Sequence, residues 1–409
     1  MKRHWNATAI AMLLVSVLAV HASAAEPAKF AIFEPLSGAY AAFAEEHKRG
    51  AQMALDEINS TGGVLGQPAK LFVRDDELNA GVAMRRIKEL DDSEKLTVIG
   101  GTLSGGMAMG INEWACKNNK IYMSFCDSRM GIGDGYCENG FSVGISGYIQ
   151  GEAIGRYMLT NHGKSWIIIV ADYGWGHEVL KGWLNASKKY DGKFLEAIYV
   201  PLGTKDISAH LPKIIAQKPD ILVFATYGSD LTAGIKQSME MGISKRSKIV
   251  ATKTDLPFIK EVGAAYDDNV YGTMTFYWNH VAQYPKAKKF VETYMKLYNK
   301  PPLQDTDRGY TGTLAVFEAM RRAGTVSDIA KIRKELEDYV YLGNKGPEVI
   351  RACDHNRTQS VLIVRGKGAK AEGWDMVDVV SEIPYWEIME SCENNRADIP
   401  YGKISMPGK

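Results

Sequence analysis

The most chemically specific stretch of the chain is Gly100-Gly-Thr-Leu-Ser-Gly-Gly106. Glycines let backbone N–H groups approach a ligand, and a helix starting there directs a partial positive charge outward. With the Ser104 hydroxyl added, the loop can cradle a carboxylate. The same residues also make a plain strand-to-helix turn in which Ser104 only caps the helix. Five other segments carry reactive or aromatic side chains where a strand pattern ends: Glu34-Pro-Leu-Ser-Gly-Ala-Tyr-Ala-Ala-Phe43, Ser124-Phe-Cys-Asp-Ser128, Asp172-Tyr-Gly-Trp-Gly176, Thr226-Tyr-Gly-Ser-Asp230 and Thr252-Lys-Thr-Asp255. Ligands of open α/β sheets bind beyond the carboxyl ends of the strands. Taken singly, Phe43, Trp175 and Tyr227 are ordinary core residues, and their shared placement on these loops is what points to a site.

Catalytic patterns are incomplete. Ser104 is not in G-x-S-x-G, because Thr102 stands at the first glycine position. His177-Glu178 lacks the second histidine of H-E-x-x-H, and Gly174-Trp-Gly176 continues into His and Glu rather than completing a nucleotide-binding loop. No C-x-x-C or Cys/His spacing marks a metal site, and the eight histidines are scattered. The expectation is a binding protein with no cofactor and no resident metal, not an enzyme.

The elements that must position these loops alternate. Strand-like runs at 29–33, 70–73, 96–99 and 120–123 enclose helical patterns, the first at 43–59 with Ala44, Ala51, Ala54, Leu55 and Ile58 on one face. Gly62-Gly63 stops that helix, and Asn79 is placed to cap the next, at 81–90. The series restarts after Gly144: a helix at 149–161, then strands at 166–170, 194–200, 221–225, 248–251 and 270–274. Helices at 179–189, 207–217, 231–241 and 257–264 lie between them. Helices at 285–298, 309–323 and 326–338 follow, then a strand at 360–364 and a tail rich in Pro and Asn. Two alternating series imply an α/β protein of two Rossmann-like lobes with mostly parallel sheets.

Lys2 and Arg3, the apolar run 7–20 and Ala22-Ser-Ala24 form the three regions of a secretory signal peptide over 1–24, so the mature chain begins near Ala25. A short membrane anchor is the alternative. Removing Lys2 and Arg3 leaves 47 basic and 48 acidic side chains, a balance that asks for neither nucleic acid nor an anionic membrane. Five cysteines in an exported chain imply disulfides and one spare thiol. Cys126 and Cys137 bracket a Gly-rich loop and are expected to pair, Cys353 with Cys392 as a second bridge, and Cys116 reads as the buried free thiol.

The set Pro35-Leu-Ser-Gly38, Gly50-Ala-Gln-Met-Ala-Leu-Asp-Glu-Ile-Asn59, Gly62-Gly63-Val-Leu-Gly66, Asp75-Asp76, Val98-Ile-Gly-Gly-Thr-Leu-Ser104, Gln150-Gly151 and 172–176 resembles the type I periplasmic solute-binding proteins of ABC transporters. Within these the resemblance is to the leucine/isoleucine/valine-binding branch, over nearly the whole mature chain. It implies two lobes joined by a three-strand hinge, crossing near Gly144, Phe276 and Glu348. One lobe would span 25–146 plus 277–350, the other 147–276 plus 351–385, with a tail at 386–409. It also implies a periplasmic monomer that closes on a small-molecule ligand and delivers it to membrane permease subunits. A ligand-sensing component of a signalling system is the alternative.

By position, the resemblance places the ligand carboxylate on Ser104 and Ser128 with help from the Cys126 backbone. Phe43 would close from one lobe, Trp175 and Tyr227 from the other. The branch's acidic partner for the ligand ammonium has no counterpart: the loop reads Thr252-Lys-Thr-Asp255, where Asp255 lies several residues late and could simply cap a helix. A buried ammonium without its partner is costly. The expected ligand is therefore an amino acid held by Asp255, or else a non-amino carboxylate, an amide or an aromatic acid.

Overall fold

The structure, a computed structural model, describes residues 26–38, 40–127, 137–338 and 340–389. The signal-peptide segment, Ser128, Cys392 and most of the C-terminal tail lie outside the described residues. Among the described residues, β1 (Lys29–Glu34), β2 (Lys70–Asp75), β3 (Val98–Gly101), β4 (Ile121–Ser124) and β5 (Gly140–Ser142) pair in parallel, in the order β2-β1-β3-β4-β5. Helices α1 (Ala41–Ser60), α2 (Ala80–Glu94) and α3 (Gly105–Lys117) connect them. Phe30 and Ile32 of β1 face one apolar core while Ala31 and Phe33 face another, the period-two alternation of a strand covered on both sides.

The second sheet runs β14-β13-β10-β9-β8-β6-β7. Its strands β6 (Ser165–Ala171), β7 (Lys193–Val200), β8 (Ile221–Ala225), β9 (Lys248–Lys253) and β10 (Val270–Met274) are parallel. β13 (Val361–Gly366) and β14 (Val377–Ile383) are antiparallel additions at one edge. Helices α4 (Gly147–Asn161), α5 (Gly174–Lys189), α6 (Leu211–Gln217), α7 (Ser229–Glu240) and α8 (Leu256–Val262) belong to this lobe. The chain then returns through α9 (Pro285–Tyr298), α10 (Gln304–Ala323) and α11 (Ile329–Leu336), whose apolar residues join the core of the first sheet. A hairpin of β11 (Val340–Gly343) and β12 (Gly346–Val349) precedes the last passage to β13. The segments between the two lobes are thus 143–146, 275–284 and 350–360.

Four strands are not evident in the sequence pattern. β5 has only three residues, the β11–β12 hairpin contains Gly and Pro, and β14 is half-buried along most of its length, so its polar residues read as tail. Helix α10 begins five residues before the expected start at 309. Its first turn, Gln304-Asp-Thr-Asp-Arg308, is polar yet wholly buried, and burial of that kind leaves no hydrophobic periodicity to read.

The cysteine pairing differs from expectation. Cys116, in the last turn of α3, is bonded to Cys137, with Cα atoms 6.1 Å apart, and the buried Cys126 takes no part in that bridge. Nearness in sequence favoured 126 with 137, but Cys126 follows β4 directly and turns inward beside the Ser124 hydroxyl at 3.2 Å. The bridge instead ties α3 to the residues leading into β5. The expected partner of Cys353 is among the residues not described.

Helices α1 and α10 approach through two glycines. A Cβ on Gly50 would lie 2.0 Å from the Thr306 carbonyl oxygen, and one on Gly309 would lie 2.1 Å from that of His47. Backbone meets backbone there, so no larger residue fits without parting the helices. Gly309→Ala is expected to cost about 1–3 kcal/mol in urea unfolding through overpacking. Opening the Cys116–Cys137 bridge, whose ends are separated by 21 positions in sequence, should cost about 3 kcal/mol. Non-reducing peptide mapping should recover Cys116 joined to Cys137 and Cys126 as a thiol.

Candidate functional site

The carboxyl ends of β1, β3 and β4 face those of β6, β8 and β9, and the loops singled out in the sequence meet between them. Ser104 is the N-cap of α3 and accepts the Met107 N–H at 3.4 Å. The backbone turns sharply to reach it: Gly101 and Thr102 have φ of +94° and +65°, and the Thr102 N–H donates to the Phe33 carbonyl at 2.7 Å. Thr102 is a β-branched residue in a left-handed conformation, strain that its surroundings must hold in place. The space beside Gly106, where a Cβ would meet no atom within 4 Å, leaves the first turn of α3 open.

Aromatic rings close the opposite side. Phe43, in the first turn of α1, lies 5.9 Å from Tyr227 of the loop after β8, ring centroid to ring centroid, so the pair spans the two lobes. The Lys253 ammonium sits 4.9 Å from the Tyr227 ring centre. The Tyr227 hydroxyl donates to Asp255 Oδ2 at 2.6 Å, and Asp255 Oδ1 accepts the Phe258 N–H at 2.9 Å. Asp255 therefore caps α8. Burial pushes its carboxyl above the usual range.

Two other expected residues are engaged locally. Trp175 packs on the core of its own lobe beside Gly147 and stacks at 6.2 Å with Tyr173. Tyr173 is the residue whose phenol is pushed up by burial and then by Tyr40 and Asp127 of the facing lobe. The Cys126 N–H donates to the Ser124 hydroxyl at 3.3 Å, so that backbone group is already occupied.

Sequence reasoning missed a row of buried charges beneath this surface. Glu34 of β1 meets His47 Nδ1 of α1 at 2.9 Å, and His47 Nε2 lies 3.6 Å from Asp305. Asp305 lies 3.4 Å from Arg308, one turn along α10. Arg308 donates to Asp127 Oδ1 at 2.7 Å and to the Phe125 carbonyl at 2.9 Å. Asp127 Oδ2 then accepts Lys253 Nζ, from the other lobe, at 2.5 Å. The charges alternate from the core of one lobe to the lip of the other. His47 and Glu34 are far from Asp305 and Arg308 in sequence, so only the α1–α10 contact reveals them.

Each neighbour sets the charge of the next. Burial opposes protonation of His47, but Glu34 and Asp305 outweigh it and raise its pKa to about 9. Burial works to raise Asp305, yet His47, Arg308 and Lys253 hold it well below the usual carboxylate range. Asp127 is likewise lowered against burial by Arg308 and Lys253. Glu34 is raised, because its burial exceeds what His47 returns.

Comparison with known proteins places this geometry. Residues 27–372 match the family described as periplasmic binding protein. The chain belongs to that family. This periplasmic binding protein is 26% identical over 313 residues to the Leu/Ile/Val-binding protein homolog 3 of Brucella melitensis, covering 75% of this chain and 82% of the relative. Its fold matches the amino acid ABC transporter substrate-binding protein of Pseudomonas fluorescens at a TM-score of 0.80, with 23% identity over 88% of this chain and 96% of that one. It also matches a solute-binding protein of an ABC transporter from Rhodopseudomonas palustris in complex with 3,4-dihydroxybenzoic acid, at a TM-score of 0.76 and 19% identity, covering 88% and 98%. These relatives are binding proteins of transporters, not enzymes.

The raised His47 carries a pH signature. A histidine whose folded value exceeds its ordinary 6.5 stabilises fully below pH 6.5 and loses that contribution as pH rises through about 9. Stability should therefore fall on the order of 2–3 kcal/mol across that window in urea unfolding at stepped pH. His47→Gln should flatten the slope.

Proposed function

We propose that this periplasmic binding protein captures a small polar ligand, an amino acid or a related carboxylate or amide, by closure of its two lobes and delivers it to an ABC importer. The observation that carries the reading is the pair of contacts across the cleft, Phe43 to Tyr227 and Asp127 to Lys253, beside the open first turn of α3. A ligand carboxylate docks first on the Ser104 hydroxyl and the α3 N-terminus, where unpaired N–H groups and the helix dipole favour negative charge. Closure brings Tyr227 and Tyr173 over it and excludes water. The closed arrangement gains population by the ligand's differential affinity for it.

The three connecting segments are the hinge of this motion. One of them is pinned by Gln304, whose amide donates to the Thr254 carbonyl at 3.0 Å while its oxygen accepts the Thr275 N–H at 3.1 Å. Another is anchored by Arg357, fully buried between Asp307 at 3.1 Å and Glu348. Such anchors let the lobes rotate about fixed points rather than part. The permease would then recognise the rims of both lobes brought together. Relatives named for Leu/Ile/Val binding and for a hydroxybenzoic acid complex support a small carboxylate ligand.

Thermal unfolding of refolded, ligand-free protein against amino acids, oxo acids, aromatic acids and amides tests the reading. A true ligand at 100 times its Kd should add about 2.7 kcal/mol. Small-angle scattering should show the particle contracting with the same compound. Ser104→Ala should weaken binding about tenfold and cost about 1 kcal/mol of stability through the lost cap. No stabilising compound and no contraction would sink the proposal.

A further inference from the structure

Within the cleft, one ion pair has a partner to spare. Asp127 is held from its own lobe by Arg308 at 2.7 Å, from a connecting segment by the Ile145 N–H at 3.3 Å, and from the opposite lobe by Lys253 at 2.5 Å. If Lys253 leaves, Asp127 keeps a guanidinium that is itself fixed by the Phe125 carbonyl. Lys253 stands differently. It reaches across the cleft from the end of β9, lies over the Tyr227 ring, and meets a carboxylate of the facing lobe. A lysine is a compact charge on a flexible stem and can swing to a new partner, whereas a fork-bound arginine cannot do so without losing two bonds.

The carboxylates nearby are already engaged. Asp305 faces His47 and Arg308 through Oδ1, with Oδ2 buried and without a hydrogen-bond partner, and Asp255 takes the Tyr227 hydroxyl and the Phe258 N–H. Asp230 accepts the Gly203 N–H at 2.6 Å and the Ser229 hydroxyl at 3.4 Å. At Asp255 and Asp230 a ligand ammonium would have to displace a donor, and at Asp305 it would meet the positive charges of His47, Arg308 and Lys253.

We propose that the ligand is a monoanion without an α-ammonium group, and that its carboxylate takes Lys253 from Asp127 on binding. This rests on the reading of the cleft as the ligand site. The exchange leaves no bare charge, since Asp127 remains matched by Arg308. The rings of Phe43 and Tyr227 beside Lys253 suit an apolar body, as in an aromatic acid or a branched 2-oxo acid.

Isothermal titration of the refolded protein with benzoate, 4-methyl-2-oxopentanoate, L-leucine and benzamide tests the inference. A carboxylate lacking the amine should bind at least about tenfold more tightly than leucine or benzamide, and Lys253→Gln should weaken it about 10–100-fold, the loss of one charge-assisted hydrogen bond. Asp127→Asn should strengthen it, because Lys253 no longer has to leave a partner. Circular dichroism checks that both variants fold, and if Lys253→Gln does not, the sign of the Asp127→Asn effect decides. Binding of leucine or benzamide that Lys253→Gln leaves unchanged overturns the inference and spares the transport reading, as does a carboxylate affinity indifferent to Lys253. Failure of all four compounds to bind either protein sinks both.

Discussion

The row Glu34–His47–Asp305–Arg308–Asp127–Lys253 is the constraint around which the cleft is organised. Taking these groups out of water costs several kcal/mol per ion, and mutual attraction offsets that cost only when each charge meets its opposite. Each inner member meets an opposite charge on both sides, so removing one takes a partner from each of its neighbours. The row therefore fixes positions more than it adds stability. Five of its members belong to one lobe, and the sixth arrives from the other.

Helix α10 is where that fixing is done. Its buried first turn supplies Asp305 and Arg308 to the cleft, Asp307 to the Arg357 anchor, and Gln304 to the loops after β9 and β10. Four consecutive or near-consecutive polar side chains thus point to three different places, as the 100° step of a helix allows. The Gly50 and Gly309 contacts with α1 hold this turn at backbone distance from His47. A single helix end consequently couples the charges of the cleft to the segments that connect the lobes.

The chemistry above this layer is spare. Ser104 and the open turn of α3 offer donors, Phe43, Tyr227 and Tyr173 offer surface, and Lys253 offers the charge that bridges the lobes. Asp255 is committed to the α8 cap and to Tyr227, so the loop after β9 presents a cation where the resemblance led one to seek an anion. Family membership gives the architecture and the mode of action. In the proposed reading, the identity of this loop sets the ligand class within it.

The alternation of short apolar strands with amphipathic helices is a local property, and it determined the two α/β lobes, most element boundaries and the loops that meet in the cleft. The Gly-Thr-Leu-Ser-Gly-Gly turn and the lysine of Thr252-Lys-Thr-Asp255 were legible for the same reason, since each is one short segment after one strand. The remainder depended on distances that no segment encodes. Gln304–Arg308 carries no hydrophobic period, so its burial, and with it the charge row, exists only once α10 lies against α1. The disulfide joins Cys116 to Cys137 rather than its nearer neighbour because α3 carries Cys116 to that loop while Cys126 turns inward. Periodicity reports what a segment buries, and only tertiary packing decides which buried polar groups find one another.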